Sequence, residues 1–184
     1  LNASHAALGF AGMLAGHRCI DEAMGDAALA AFADRLMAEA APLLPPVPGV
    51  DLGAYRRTLL ERFANPHIGD RLDRLCRNGT VKLASHVLPS IRAARAEGMS
   101  HEALTLTVAA WAHHLRGIDD DGEMFTVDDP KAEVLAERRL DDLLADPGVL
   151  GALARDRAFR REVGAAAEVI ARSGLRAALA ATSR

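Results

Sequence analysis

No stretch of this 184-residue chain alternates apolar and polar residues as a half-buried strand would. Apolar residues recur instead at three- and four-residue spacing, the period at which one side of an α-helix meets a core. Leu104, Val108, Trp111, Ala112 and Leu115 define one such face, with Ser100 upstream as the expected N-cap and Gly117 as the expected stop. Leu83, Val87, Ile91 and Ala94 define another, ended by Gly98. Asn65-Pro66, Asp129-Pro130 and Asp146-Pro147 each read as a helix start, because the Asx side chain caps free N–H groups and proline fills a position where no hydrogen bond is lost. The run Pro42-Leu43-Leu44-Pro45-Pro46-Val47-Pro48-Gly49 predicts a rigid extended connector between two helical blocks. With alanine and leucine abundant, the expectation is one all-α domain over residues 1–184, built from about eight to ten helices of ordinary length.

Composition excludes several function classes. Half of the residues are apolar and the formal net charge is −3, so a disordered chain is not expected. No apolar run reaches the ~18 to 20 residues of a membrane span. An acidic balance with one Trp, one Tyr and five Phe argues against nucleic acid as a partner. Cys19 and Cys76 stand far apart and read as free thiols of a cytoplasmic protein. Residue 1 is Leu and a helical pattern is already running at Leu8 to Met13, which reads as the downstream piece of a longer protein.

Most clusters of chemically useful residues carry no recognisable site. Gly9, Gly12 and Gly16 lack the preceding strand and the spacing of a dinucleotide loop, and read as small residues that admit a neighbouring helix. The histidines include no pair at metal-binding spacing, and His113 and His114 splay apart on a helix. Asp119-Asp120-Asp121-Gly122-Glu123 lacks the alternate-position ligands of a calcium loop and is expected to be a solvated turn. No metal is expected.

Two spacings leave alternatives open. Asn2 and His5 share a helix face, where an amide and an imidazole can meet a polar ligand; equally, Asn2 can cap the helix and His5 can be a surface or packed ring. Arg74 and Lys82 flank a tight Asn78-Gly79 turn between two helices, where their cationic heads can converge on a polyhydroxylated or anionic ligand. Basic residues at a helix C-terminus also simply offset its dipole.

In order along the chain, these stretches resemble the polyol-specific long-chain dehydrogenases, the family of mannitol 2-dehydrogenase, arabinitol dehydrogenase and fructuronate reductase. The matching text is Leu1-Asn2-Ala3-Ser4-His5, Leu14-Ala15-Gly16-His17-Arg18, the prolyl run into Val50-Asp51-Leu52, Tyr55 with Leu59-Leu60-Glu61-Arg62-Phe63-Ala64-Asn65-Pro66, Arg74 to Lys82, and Ala109-Ala110-Trp111 with Leu115-Arg116-Gly117-Ile118-Asp119. The likeness runs over about residues 1–130, and the remainder matches only in being helical. The family's Asp-Gly-Ser turn is Asn78-Gly79-Thr80 here.

The resemblance implies a multi-helical C-terminal substrate domain whose nucleotide-binding α/β partner domain is absent from this chain. It implies NAD or NADP bound by that missing domain, a polyol or ketose substrate, no metal, and no turnover by these 184 residues alone. Asn2 and His5 match the last two positions of the family's lysine–asparagine–histidine motif, whose lysine, the general base, would fall about four residues before Leu1. Asn2 would steady the oxyanion and His5 orient the reacting carbon. Arg74 and Lys82 match a pair that grips the substrate's hydroxyl groups. A sugar-acid oxidoreductase of the fructuronate reductase type, and a stand-alone non-catalytic helical interaction module, are the alternative readings.

Overall fold

A computed structural model of the chain describes residues 1–45 and 48–182. Twelve α-helices account for most of it: α1 (Asn2–Leu14), α2 (Ile20–Gly25), α3 (Ala27–Ala40), α4 (Leu52–Phe63), α5 (Leu72–Cys76), α6 (Gly79–Lys82), α7 (Leu88–Ala96), α8 (Glu102–His114), α9 (Ala132–Ala136), α10 (Leu140–Leu144), α11 (Pro147–Leu150) and α12 (Arg157–Ala181). The count exceeds the eight to ten expected because half of the helices have only four to six residues, too short to repeat a period.

The core is built on α1 and α8. α8 is buried all round, from Ala103 to Ala112, rather than on one face only. α1 and α12 pack on it, α3 touches all three, and α5 lies on α1. Small residues permit that last contact: a Cβ at Gly9 would stand 2.9 Å from Cys76 Sγ, and one at Gly12 would stand 2.6 Å from Leu72 Cδ1. Gly9 and Gly12 are therefore helix-packing positions and are buried, whereas Gly16 departs from that expectation: it lies exposed just past the end of α1 at φ 87° and packs against no helix.

The start of α8 corrects one expectation. Ser100 does not cap it; its hydroxyl donates to Glu39 Oε1 at 3.2 Å. The cap is Glu39 itself, from the end of α3, which accepts from the Ala103 and Leu104 amides at 3.1 Å each. A buried carboxylate from another helix thus meets the positive end of the α8 dipole.

The acidic turn faces water at Asp120, Asp121, Gly122 and Glu123, as expected, and departs from expectation at Asp119. Asp119 is 7% exposed and pairs with Arg18 at 2.8 Å, while its other oxygen accepts from the Asp121 and Glu123 amides. Arg18 also lies over the Phe125 ring. Asp120 accepts from Leu175 N–H, where α12 is interrupted at Gly174 (φ 79°, ψ 168°). The long-range ion pair draws in Asp119 alone; Asp120, although it caps the Leu175 amide, stays exposed with the rest of the turn.

Asn65, Asp129 and Asp146 each accept from the amide two residues on. Asn65 so opens a 3-10 turn and Asp146 caps α11 as read, but Asp129 starts no helix, since α9 begins only at Ala132 with Lys131 in its N-cap position. Asp129 additionally accepts from Thr80 N–H at 2.6 Å, joining the start of α6 to the loop before α9. The prolyl connector differs from an extended rod. Ala41–Leu43 is a 3-10 turn with Pro42 in its second position, Leu44 is extended, and Gly49 takes a φ of 76°. Pro46 and Val47 of that run lie outside the described residues.

His113 and His114 splay as expected. His113 Nε2 lies 3.0 Å from the Ala167 carbonyl on α12. His114 is buried between the Phe10 and Phe125 rings, its Nε2 bonded to nothing among the described residues. Burial lowers its pKa to about 4, against the opposing charge of Asp129. The folded chain therefore binds this proton only near pH 4, whereas the unfolded chain binds it near the ordinary histidine value of about 6.5. Stability from this residue is present at neutral pH and lost as pH falls through that window, by roughly 3 kcal/mol in full. Urea unfolding at neutral pH and at about pH 5 checks this: His114→Gln is expected to shrink the acid-induced loss of stability by about 1–2 kcal/mol, and an unchanged loss would refute the assignment.

Candidate functional site

The predicted residues sit where α1, α4, α5 and α6 approach one another. Asn2 is in the first turn of α1, exposed, and it is not a cap: Leu1 holds the N-cap position. One turn on, His5 is half-buried with its ring 5.0 Å from that of Phe63, at the end of α4. α4 ends there because Asn65-Pro66 opens a 3-10 turn, closed by Gly69 in the left-handed region at φ 59°.

Past that turn, Asp70 precedes α5 and its backbone carbonyl accepts from Ile20 N–H. Its side chain is 15% exposed and takes the guanidinium of Arg74, through Nε at 2.9 Å and through Nη2. The i,i+4 pair fixes the arginine's fork while leaving its other donors free. Arg74 otherwise faces a groove of about 1000 Å3 lined also by Arg71, Arg77, Val127 and Asp128.

Lys82 arrives from the next helix. Asn78, in the left-handed region at φ 52°, turns the chain, and the following Gly79 is packed so closely that a Cβ there would stand 2.8 Å from the Phe10 ring. Lys82 Nζ donates to the Leu75 carbonyl at 2.9 Å, so it does cap the end of α5, and it keeps two further donors. Beyond it the helix widens into a π turn, Leu83–Val87, before continuing as α7 with helical backbone throughout. Pro89 accounts for the widening: it has no N–H for the Ser85 carbonyl, and its ring would collide with that carbonyl in a regular α-turn.

Electrostatics tie three of the four residues together. Burial is the main influence on His5 and lowers its pKa; Asp70 opposes it, while Lys82 and Arg74 push in the same direction as burial. The imidazole is thus held neutral, able to donate from one nitrogen and accept at the other. Asn2 stands three residues before His5 on α1, yet it lines a different cavity from Arg74. That cavity, about 400 Å3, is bounded by Tyr55, Leu44, Met37, Ser85 and His86. Among the described residues no single cavity is lined by Asn2, His5, Arg74 and Lys82 together.

Sequence reading missed Asp70 and Phe63 as neighbours of these groups. The i,i+4 spacing of Asp70 and Arg74 was the available signal for the first. Nothing local pointed to Phe63, which meets His5 only through packing. Cys76 is buried under Gly9 and burial pushes its thiol up, so it is an inert packing residue. Among the described residues no three His, Cys, Asp or Glu side chains gather to hold a metal ion, and no helix is long and apolar enough to cross a membrane.

Comparison with known proteins adds to this geometry. A family model described as mannitol dehydrogenase C-terminal domain matches residues 1–176, so the likeness extends well beyond the first 130 residues. The tail carries no compact motif, which is why its sequence looked merely helical. The chain is 40% identical over 183 residues to a mannitol 2-dehydrogenase of Aspergillus fumigatus, covering 95% of this chain and 36% of that protein. It is 40% identical over 185 residues to one of Phaeosphaeria nodorum, covering 98% and 33%. In three dimensions it is similar to Pseudomonas fluorescens mannitol 2-dehydrogenase, solved as a ternary complex with NAD and D-mannitol. The TM-score is 0.92 at 33% identity, over 100% of this chain and 39% of that one. A D-sorbitol dehydrogenase in substrate-free form shares the fold, with a TM-score of 0.89 at 24% identity over 97% of this chain and 38% of that one. The chain therefore spans little more than a third of the length of the relatives it matches.

Proposed function

Because this chain belongs to the mannitol dehydrogenase C-terminal domain family, we propose that it is the substrate-side helical domain of a nicotinamide-dependent polyol dehydrogenase, interconverting a polyol and its ketose. Asn2, His5, Arg74 and Lys82 are its substrate residues in this reading. The observation that carries it is the match of the mannitol dehydrogenase C-terminal domain model over residues 1–176, with the fold shared by a mannitol 2-dehydrogenase solved with NAD and D-mannitol.

The covered glycines of α1 offer no open backbone to a pyrophosphate, so the dinucleotide is assigned to polypeptide outside these residues, as is the general base. NAD or NADP, when bound there, supplies the hydride acceptor. The roles left to this chain are binding and charge stabilisation. Asn2 donates its amide N–H to the oxygen of the reacting carbon, where negative charge builds as the hydroxyl loses its proton. His5, neutral and braced against Phe63, holds a neighbouring hydroxyl and fixes the carbon's orientation. Arg74, steadied by Asp70, and Lys82, anchored on the Leu75 carbonyl, use their spare donors on the distal hydroxyls. The apolar cavity beside Asn2, rimmed by the exposed Leu44 and Tyr55, is the surface a second domain would cover, removing water from the oxyanion's surroundings.

A panel of mannitol, arabinitol, sorbitol and fructuronate, assayed on the full-length enzyme with both nicotinamide cofactors, tests the reading. A polyol is expected to be turned over, and failure with every polyol would refute it. The 184-residue chain alone is expected to be inactive. In the full-length enzyme Arg74→Ala should raise KM by about 10-fold or more with kcat little changed, the signature of lost uniform binding. An equal fall in kcat and kcat/KM would instead put Arg74 in the transition state.

A further inference from the structure

Away from the polyol residues, α12 carries a stripe of cations. Arg157, Arg160 and Arg161 recur at helical spacing and, with Arg139 from the start of α10, line a groove of about 880 Å3. Two carboxylates border it, Asp141 and Glu168, and Glu168 is turned to Arg172 at 3.6 Å. Among the described residues none of the four arginines makes an ion pair, although Arg138, Arg172 and Arg176 nearby in sequence all do. Like charges three and four apart on a helix repel, so the stripe is unfavourable as it stands.

Two further features favour an occupant over a merely solvated face. Arg160 Nε is enclosed by protein and has no hydrogen-bond partner among the described residues. Gly164 lies on the same stripe, inside a helix where glycine costs roughly 0.5–1 kcal/mol relative to alanine. A Cβ there would meet nothing within 4 Å, so helix packing does not require glycine; its absent side chain leaves the floor of the groove open. A groove of this size suits a small molecule, and planar guanidinium forks match the oxygens of a phosphate group.

We propose that this groove binds a small phosphate-bearing ligand, gripped by Arg157, Arg160, Arg161 and Arg139. The site is independent of the dehydrogenase reading. A bound diphosphate relieves the repulsion along α12 and links that helix to α10.

The test is calorimetric titration of the 184-residue chain with inorganic pyrophosphate at fixed ionic strength, with ADP as a second arm. Saturable binding is expected, and the double variant Arg157→Gln/Arg161→Gln should weaken it at least about tenfold. Arg57→Gln/Arg92→Gln, which removes the same charge elsewhere, should leave it within about twofold. Tighter binding of ADP than of pyrophosphate would point to a nucleotide as the source, and equal binding to the phosphates alone; both support the site. Absence of saturable binding, equal weakening by the two double variants, or binding only to a long polyanion such as heparin would overturn it. Because the substituted arginines are exposed and unpaired, both doubles should keep the parent's melting temperature without ligand, checked in the same buffer.

Discussion

Asn2→Ala in the full-length enzyme is expected to lower kcat by roughly 100-fold or more and to lower kcat/KM by a similar factor, the scale of one lost oxyanion donor. The reason lies in timing. A neutral hydroxyl gains little from an amide N–H, whereas the alkoxide-like oxygen of the transition state gains much, so the loss falls on the barrier rather than on binding. Unfolding does not supply a rival explanation: Asn2 is exposed, caps nothing, and occupies a helical position that alanine favours. Steady-state kinetics, with circular dichroism melting of the variant as a control, provide the check. A fall in kcat below about threefold with an intact melt would remove Asn2 from the chemistry.

Glu39→Ala should be the most damaging single change to the fold among those considered, costing about 2–4 kcal/mol and lowering the melting temperature by about 5–15 °C. Glu39 accepts two α8 amides and the Ser100 hydroxyl in a buried setting. Its removal leaves the Ala103 and Leu104 N–H groups without water or protein partners, at the end of the helix around which the domain is built. Glu39→Gln, which keeps an acceptor oxygen but no charge, should fall between the two. A thermal melt of the 184-residue chain measures this, and a shift under about 2 °C for the alanine variant would show that α8 needs no such cap.

These two predictions rest on opposite kinds of legibility. Asn2 was visible from its spacing to His5 and from a family motif, whereas Glu39 was invisible, because a carboxylate more than sixty residues from the amides it caps leaves no local trace. Arg18 and Asp119 repeat the lesson: each lies in a recognisable stretch, yet only the fold brings them to 2.8 Å. Asp119 read as solvated like the rest of its run because its partner, the Arg18 side chain, comes from elsewhere in the chain.

By itself the sequence determined the helical class, the starts at Asn65-Pro66 and Asp146-Pro147, the glycine stops at Gly98 and Gly117, and the close approach of some neighbouring helix at Gly9 and Gly12. Each of these is set by backbone chemistry within a turn or two, or by the size of one side chain. Only the tertiary structure decided which acid caps α8, that Arg18 holds Asp119, that Phe63 braces His5, and that α12 gathers unpaired arginines opposite Arg139. Coulomb and packing forces act through space, so their partners need share no period along the chain.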